Sequence, residues 1–213
     1  ERRSEGMSHG VRPAVALDFL NAYCAGTVSL DEVACLGGIA LKRVVVKGDL
    51  VMRRAYCRAL PAQPEAALNA DDVQVARTAN LTQLEADGPI SLERARIGGG
   101  LLLDELRATR IPPGVPESSA PRLPALCADH LSVGASASLQ RGILEGGVRI
   151  KHVRVAGSLD LSGCIVGGNT AANVHGGYVE DGVRLDGCSV DGDLIVNRQH
   201  YATAVNEIAP TLI

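Results

Sequence analysis

Residues 90–111 read ISLERARIGGG followed by LLLDELRATRI, two units of eleven residues that share one pattern. In each unit, positions 1, 3, 6 and 8 are apolar or small. The same period occurs at residues 28–38 (VSLDEVACLGG), 148–158 (VRIKHVRVAGS) and 183–193 (VRLDGCSVDGD), usually with Gly at position 10. A fixed period of this kind indicates a repeat architecture, in which stacked neighbours complete the core of each unit.

The spacing within a unit predicts short strands joined by corners. Two apolar residues separated by one other residue lie on the same face of an extended segment. The gaps between these pairs are too short for a helix and suit tight bends, and we expect the Gly at position 10 to supply the backbone freedom of one corner. Two units then close a coil of about 22 residues, and coils stacked about 4.8 Å apart pair strand on strand.

The units also predict how the chain is organised. Three units run from residue 28 to 60, four from 68 to 111, four from 126 to 169, and three from 172 to 204, where the pattern fades. Between them, residues 61–67 and 112–125 are rich in Pro and are predicted to be loops on one edge of the solenoid. We therefore predict an all-β, parallel β-helix over residues 28–197, with about seven coils and a length of roughly 34 Å.

Both ends of a solenoid need caps, because an open coil exposes apolar core and unpaired strand edges. In the N-terminal segment, residues 1–27, the stretch PAVALDFLNAYCA (residues 13–25) has a partly helical apolar pattern, and we predict a helical cap there. Residues 198–213 lose the repeat and are predicted to form a C-terminal cap or tail.

Composition narrows the class of protein. The net charge is −3, from 21 basic and 24 acidic residues, so neither a nucleic-acid-binding surface nor an acidic mimic is required. The six Cys form no CxxC pair, which predicts reduced thiols in a cytoplasmic protein. We expect two of them, Cys164 and Cys188, to stack on neighbouring coils as thiols. The chain has no run of 18 apolar residues, so no membrane span is expected.

Split at the corner, the units read as near-pentapeptides such as VRLDG-CSVDG and LDLSG-CIVGG. They resemble pentapeptide-repeat proteins, whose motif has a small residue, a polar residue and then a central Leu or Phe. The central position matches Leu161, Val166, Leu185 and Val190, and the position two before it matches Cys164 and Cys188. The resemblance covers roughly residues 28–197 and implies a right-handed, four-sided β-helix. The eleven-residue period and the absence of central Phe mark a variant, similar to repeat proteins common in actinobacteria.

A search for catalytic motifs finds none. Residues 98–100 (GGG) lie at a repeat corner and not at the start of a helix, so they do not form a dinucleotide fingerprint. GxSxG, HExxH and P-loop sequences are absent. Because a regular solenoid offers flat walls and protruding loops without a deep pocket, we predict a protein that is not an enzyme and that has no cofactor.

Three histidines fall close together in the repeat. His130 and His152 occupy position 5 of units two apart, so they are expected to stack on one face, with His175 nearby. Imidazoles at strand spacing can converge on a metal. No carboxylate or Cys other than Asp129 joins them at a matching position, however, so we predict a solvated polar ladder and no metal site.

The wall that carries these histidines also collects basic residues, among them Lys42 and Arg43. Asp71, Asp72 and Glu93 lie among them, and aromatic residues do not, so we do not expect direct nucleic-acid binding. The Pro-rich loop is a second candidate for partner contact, because loops on rigid scaffolds carry recognition. The predicted interaction surface comprises Arg94, Arg96, His130, Lys151, His152 and Arg154 with the loop residues Pro112, Pro113, Val115 and Pro116.

The function that these observations predict is a non-catalytic scaffold for protein binding or assembly, with a protein partner or a second copy of the chain. Two alternatives come from resemblance. Some pentapeptide-repeat proteins bind DNA gyrase as duplex mimics and confer drug tolerance, which requires a strongly acidic wall; the candidates here are Asp31, Glu32, Glu85, Asp104, Glu105 and Asp186. The stretch KRVVVKGDLVM (residues 42–52) resembles bactofilins, which polymerise end to end through β-helices.

Overall fold

The computed structural model describes residues 15–59, 66–116, 124–168, 183–184, 187–195 and 200–203. These residues form short β-strands and no helix. Four parallel sheets of seven strands contain all of the strands, and each sheet takes every fourth strand of the chain. This arrangement confirms the prediction of an all-β parallel solenoid.

The strands of the four sheets follow in chain order. Sheet A contains β1 (Val15–Asp18), β5 (Gly38–Ala40), β9 (Leu68–Asn69), β13 (Ile90–Ser91), β17 (Leu126–Cys127), β21 (Val148–Arg149) and β25 (Val183–Arg184). Sheet B contains β2 (Tyr23–Cys24), β6 (Val45–Val46), β10 (Gln74–Val75), β14 (Arg96–Ile97), β18 (Ser132–Val133), β22 (Arg154–Val155) and β26 (Ser189–Val190). Sheet C contains β3 (Val28–Ser29), β7 (Leu50–Val51), β11 (Ala79–Asn80), β15 (Leu101–Leu102), β19 (Ala137–Ser138), β23 (Leu159–Asp160) and β27 (Leu194–Ile195). Sheet D contains β4 (Ala34–Cys35), β8 (Tyr56–Arg58), β12 (Glu85–Asp87), β16 (Arg107–Thr109), β20 (Ile143–Glu145), β24 (Ile165–Gly168) and β28 (His200–Thr203).

Each unit of eleven residues contributes two of these strands, one at positions 1 and 2 and one at positions 7 and 8. Val28 pairs with Leu50, and Ala79 pairs with Leu101, so partners in neighbouring coils lie 22 residues apart where no long connection intervenes. The register is direct, so equivalent positions of successive coils stack along the solenoid. Below, the outward faces of sheets B and D are called wall B and wall D.

The core follows the predicted alternation. In the unit that begins at Ile90, the side chains at positions 1, 3, 6 and 8 are Ile90, Leu92, Ala95 and Ile97, and all are at most 4% exposed. Because equivalent positions stack, these residues join a single apolar column that runs through the described coils. Apolar burial of this kind, together with the parallel ladders, holds the coils together.

The predicted helical cap in residues 13–25 is wrong for the part that the structure describes. Val15–Asp18 is strand β1, which pairs with β5, and Tyr23–Cys24 is strand β2, which pairs with β6. The spacing of Leu17, Phe19 and Ala22 fits positions 1, 3 and 6 of the repeat as well as it fits a helix, and long-range pairing favours the strand. The solenoid therefore begins before residue 28.

The other end also differs from prediction. Within the predicted tail, His200–Thr203 forms strand β28 and pairs with β24, so four residues of it belong to sheet D. In sheet A, Val148 pairs with Val183. The predicted unit at 172–182 lies outside the described residues.

The long connections lie on one edge of the solenoid. They follow β8, β16 and β24, and each leads from sheet D to sheet A. The opposite side, which includes wall B, is free of long insertions within the described coils.

The corners use positive φ at position 5 as well as at some of the predicted glycines at position 10. Position 5 of each described unit has positive φ, between 54° and 59° at the eleven non-glycine residues, and Gly163 and Gly187 occupy the same position. At position 10, Gly88 and Gly146 also have positive φ, of 138° and 115°, as predicted. Other Gly at this position, such as Gly157, have no positive φ and are needed because neighbouring coils leave no space for a side chain. A Cβ on Gly157 would lie 2.5 Å from Ser136 Oγ and 2.8 Å from Ser136 N in the neighbouring coil.

Side chains at position 4 tie neighbouring coils together. The Asp31 carboxylate accepts a hydrogen bond from the Arg53 backbone N–H (2.8 Å), and the Asp129 carboxylate accepts one from the Lys151 N–H (3.2 Å). These bonds satisfy turn amides that the strand ladders leave free. Each of them joins equivalent positions of adjacent coils, so the corner stacks in the same register as the sheets.

Candidate interaction surface

Wall B carries an open groove of about 860 Å³. Its floor is formed by strands β14, β18 and β22, whose position-7 side chains point outward because their position-8 neighbours are buried in the core. Arg96, Ser132 and Arg154 occupy these outward positions, and all three are exposed. Gly98 and Gly134 leave one edge of the groove without side chains.

The second edge of the groove is formed by His130 and His152. Their rings are stacked with centroids 5.0 Å apart and an interplanar angle of 21°, which confirms the predicted stacking. Both residues have positive φ at position 5, and Gly187 continues this column, with room for no Cβ beside His152 Nδ1. The third predicted member, His175, lies outside the described residues.

Arg96 and Arg154 differ from most arginines of the solenoid. Neither makes an ion pair or a side-chain hydrogen bond with the described residues. Carboxylates of adjacent positions compensate seven other arginines, in the pairs Arg53–Asp31, Arg54–Glu32, Arg77–Asp49, Arg94–Asp72, Arg107–Glu85, Arg141–Glu105 and Arg149–Asp129. The acidic residues of wall B that sequence analysis placed among the arginines therefore do not reach the groove.

Wall D provides an internal comparison. It carries a groove of about 590 Å³ that also contains arginines, but Glu85 and Glu105 line it as well. Arg107 Nε lies 3.9 Å from Glu85 Oε1, and Arg141 Nη2 lies 2.6 Å from Glu105 Oε1. The groove on wall D is thus lined by arginines together with carboxylates, whereas the described lining of the groove on wall B has arginines and no carboxylate.

The structure brings four of the ten predicted surface residues together, namely Arg96, His130, His152 and Arg154. Arg94 lies in the His130 column, but its Nε donates to Asp72 Oδ1 at 2.8 Å, and this hydrogen bond lowers the pKa of the Asp72 carboxyl. Lys151 is half-buried beside the groove and is not part of its lining.

The Pro-rich loop residues lie elsewhere. They follow β16 at the corner between sheets D and A, whereas the groove is on sheet B. Pro112 and Val115 are buried, and Arg58 Nη2 donates a hydrogen bond to the Pro113 carbonyl at 3.1 Å. Pro113 and Pro116 remain exposed. The described part of this loop is anchored to the solenoid and does not extend the groove.

A polar cluster on sheet A escaped sequence analysis. Arg149 Nε donates to Asp129 Oδ2 at 2.8 Å, and Arg149 Nη2 donates to Glu93 Oε1 at 3.0 Å, with the Cys127 thiol beside them. Glu93, Cys127 and Asp129 are close enough to share a metal ion. The Arg149 cation already bridges both carboxylates, and burial raises the pKa of the Cys127 thiol to about 12, so the donor set fits a neutralised network better than a metal site.

The cysteines do not stack as predicted. Cys188 lies at the corner between β25 of sheet A and β26 of sheet B, whereas Cys164 lies between β23 of sheet C and β24 of sheet D. Cys188 Sγ contacts the Ile150 carbonyl, and Cys164 Sγ contacts the Leu139 carbonyl. Instead, Cys35 and Cys57 are register partners in sheet D. All six cysteines are free thiols.

Comparison with family models, curated proteins and solved structures finds no match for this chain. The likeness to pentapeptide-repeat proteins therefore remains a resemblance carried by the sequence pattern and the four-sided parallel architecture. Within the described residues, no helix has the length and apolar character needed to cross a membrane.

Proposed function

We propose that this protein is a non-catalytic β-solenoid scaffold that binds a partner protein through the groove on wall B. The observation that carries the proposal is that Arg96 and Arg154 line an open groove and pair with no carboxylate of the described residues. A cation without a counter-ion attracts an anionic partner and orients its approach. We include in the proposal a right-handed winding and a place among pentapeptide-repeat-like proteins, supported by the four-sided coils.

The chemistry of the groove supports binding and offers little for catalysis. Ser132 is the only hydroxyl in its lining, and no hydrogen bond joins this hydroxyl to His130 or His152 among the described residues. A nucleophilic Ser needs an adjacent base to activate it. The groove is also open to solvent, whereas catalytic pockets exclude water from the reacting groups.

Affinity capture with matched variants tests the proposal. The baits are the wild-type protein, the wall B variant Arg96→Gln/Arg154→Gln, and the wall D variant Arg107→Gln/Arg141→Gln. We expect a set of proteins that the wild type and the wall D variant retain and the wall B variant loses. Identical capture by all three baits, or equal loss from both variants, would contradict binding through wall B.

End-to-end self-association is a second candidate, favoured by the first coil. Leu20, Tyr23 and Leu36 are 51%, 66% and 74% exposed there, and strands β1 to β4 have neighbours on one side only among the described strands. An apolar end with open strand edges is suited to docking another copy. Light scattering over a wide concentration range should show species that grow with concentration; a single discrete size throughout would exclude it.

The gyrase-mimic alternative receives less support. Its acidic candidates on the C and D sides include Asp31, Glu32, Glu85 and Glu105, and each of these carboxylates pairs with an arginine. A duplex mimic needs a wall of uncompensated negative charge. We expect no inhibition in a gyrase supercoiling assay at micromolar protein.

A further inference from the structure

The groove on wall B has the donors of an oxyanion site, and we infer that it binds a phosphorylated segment of its partner. This inference rests on the proposed function and narrows it to one chemistry. It concerns three successive strands, β14, β18 and β22, and the adjoining position-5 column.

The central donors are in register. Arg96 pairs with Ser132, and Ser132 pairs with Arg154, so two guanidinium groups flank one hydroxyl along the solenoid axis. With strands about 4.8 Å apart, the Cα atoms of the two arginines are about 9.6 Å apart. Their long side chains can converge over Ser132, and neither is drawn away by an ion pair with the described residues.

The edges of the groove complete the arrangement. His130 and His152 are exposed and stacked on one side, and each imidazole offers a ring N–H. Gly98 and Gly134 on the other side carry no side chain, and their amides already donate to the carbonyls of Val75 and Ile97. The free donors are therefore side chains that surround an open volume.

Charge and geometry favour a phosphate monoester over other ligands. The two guanidinium groups together carry two positive charges, which match the charge of about −2 on a phosphate monoester. The terminal oxygens of the phosphate can accept hydrogen bonds from several directions. A carboxylate has one charge and two oxygens, which a single arginine satisfies. Cations are repelled from this site, and its lining has no aromatic side chain on which a nucleic-acid base could stack.

Fluorescence anisotropy with designed peptides tests the inference. The probe is a labelled peptide of Gly and Ser with one phosphoserine, compared with its unphosphorylated and glutamate twins. We expect the phosphopeptide to bind wild-type protein at least about tenfold more tightly than either twin, and to weaken as salt is raised. The Arg96→Gln/Arg154→Gln variant should lose about tenfold to a hundredfold in affinity, from the removal of charged hydrogen bonds.

Three further proteins make the result specific. The wall D variant Arg107→Gln/Arg141→Gln should bind the phosphopeptide as the wild type does, because its arginines are already compensated. Arg96→Lys/Arg154→Lys keeps the charge but loses the forked donors, so its affinity should lie between wild type and the Gln variant. His130→Asn keeps a residue that tolerates positive φ and should bind more weakly if the imidazole edge takes part. Circular dichroism checks that each variant is folded.

The outcomes separate this inference from the proposed function. Equal binding of the three peptides, or equal binding to wild type and the wall B variant, would overturn the phosphate site. A single-stranded oligonucleotide that binds more tightly than the phosphopeptide would overturn the peptide assignment. Phosphatase treatment of the captured partners should abolish their binding. If it leaves capture unchanged while the wall B variant abolishes it, partner binding stands and the phosphate inference fails.

Discussion

The clearest prediction concerns Gly157, where the stacking of coils leaves no room for a methyl group. A Cβ there would lie 2.8 Å from Ser136 N and 3.0 Å from Ala135 C, both backbone atoms of the neighbouring coil. Ordinary contact begins near 3.4 Å, so the two backbones must separate by about half an ångström. Two interstrand bonds cross this gap, from the Gly157 N–H to the Ala135 carbonyl and from the Ser158 N–H to Ser136 Oγ.

The magnitude of the effect follows from these contacts. Weakening two hydrogen bonds costs about 1 kcal/mol each at most, and strain from overpacking adds about 1–3 kcal/mol. We expect Gly157→Ala to lower the free energy of unfolding by about 2–4 kcal/mol. The assay is urea unfolding followed by far-ultraviolet circular dichroism, since the chain has no Trp.

Gly26 is the matched control. It occupies the same position 10 at the same kind of corner, but in the first described coil a Cβ on it would meet no atom within 4 Å. Gly26→Ala should be neutral or stabilise by about 0.4–1 kcal/mol, because Ala restricts the unfolded chain. Position 10 is Ala135 in a neighbouring coil. If the urea midpoint of Gly157→Ala equals that of the wild type, the corner readjusts locally, and the reasoning from coil spacing is refuted.

Four other predictions test the corners, the core, an ion pair and a thiol. Arg43 is exposed and has a φ of 58°. Arg43→Gly should therefore raise the free energy of unfolding, measured by urea titration, by about 1 kcal/mol, whereas Arg43→Val should lower it. Leu106 is fully buried, and Leu106→Ala should cost about 2–5 kcal/mol in the same assay. The hydrogen bond from Arg94 lowers the pKa of Asp72; its stabilisation is present above the unfolded carboxyl pKa and lost as pH falls through the lower folded value, so Asp72→Asn should flatten the loss of stability in acid titrations. Burial raises the pKa of the Cys57 thiol to about 12, and mass spectrometry should find it unmodified by iodoacetamide at pH 8 until the protein is unfolded.

Part of the candidate surface follows from the repeat and part does not. The period places Arg96 and Arg154 at equivalent positions of wall B, and it places His130 beside His152, because 22-residue stacking repeats each position. The repeat did not predict which of these arginines form ion pairs with carboxylates. Arg94 pairs with Asp72, whereas Arg96 pairs with no carboxylate in the described part of the chain, a difference that depends on side-chain direction at positions 5 and 7.

The local sequence pattern specifies the architecture, and it recurs in every coil. Apolar residues at positions 1, 3, 6 and 8 predict short strands whose apolar side chains face one core. Because every coil has the same pattern, the pattern is sufficient to predict an all-β parallel solenoid. The ends and the insertions obey no such repetition. A segment such as Val15–Asp18 fits helix or strand equally well, and only pairing with β5 decides between them. Likewise, the residues on which Cys188 stacks depend on the register between β21 and β25. That register is set by long-range pairing of the coils and cannot be predicted from the local pattern.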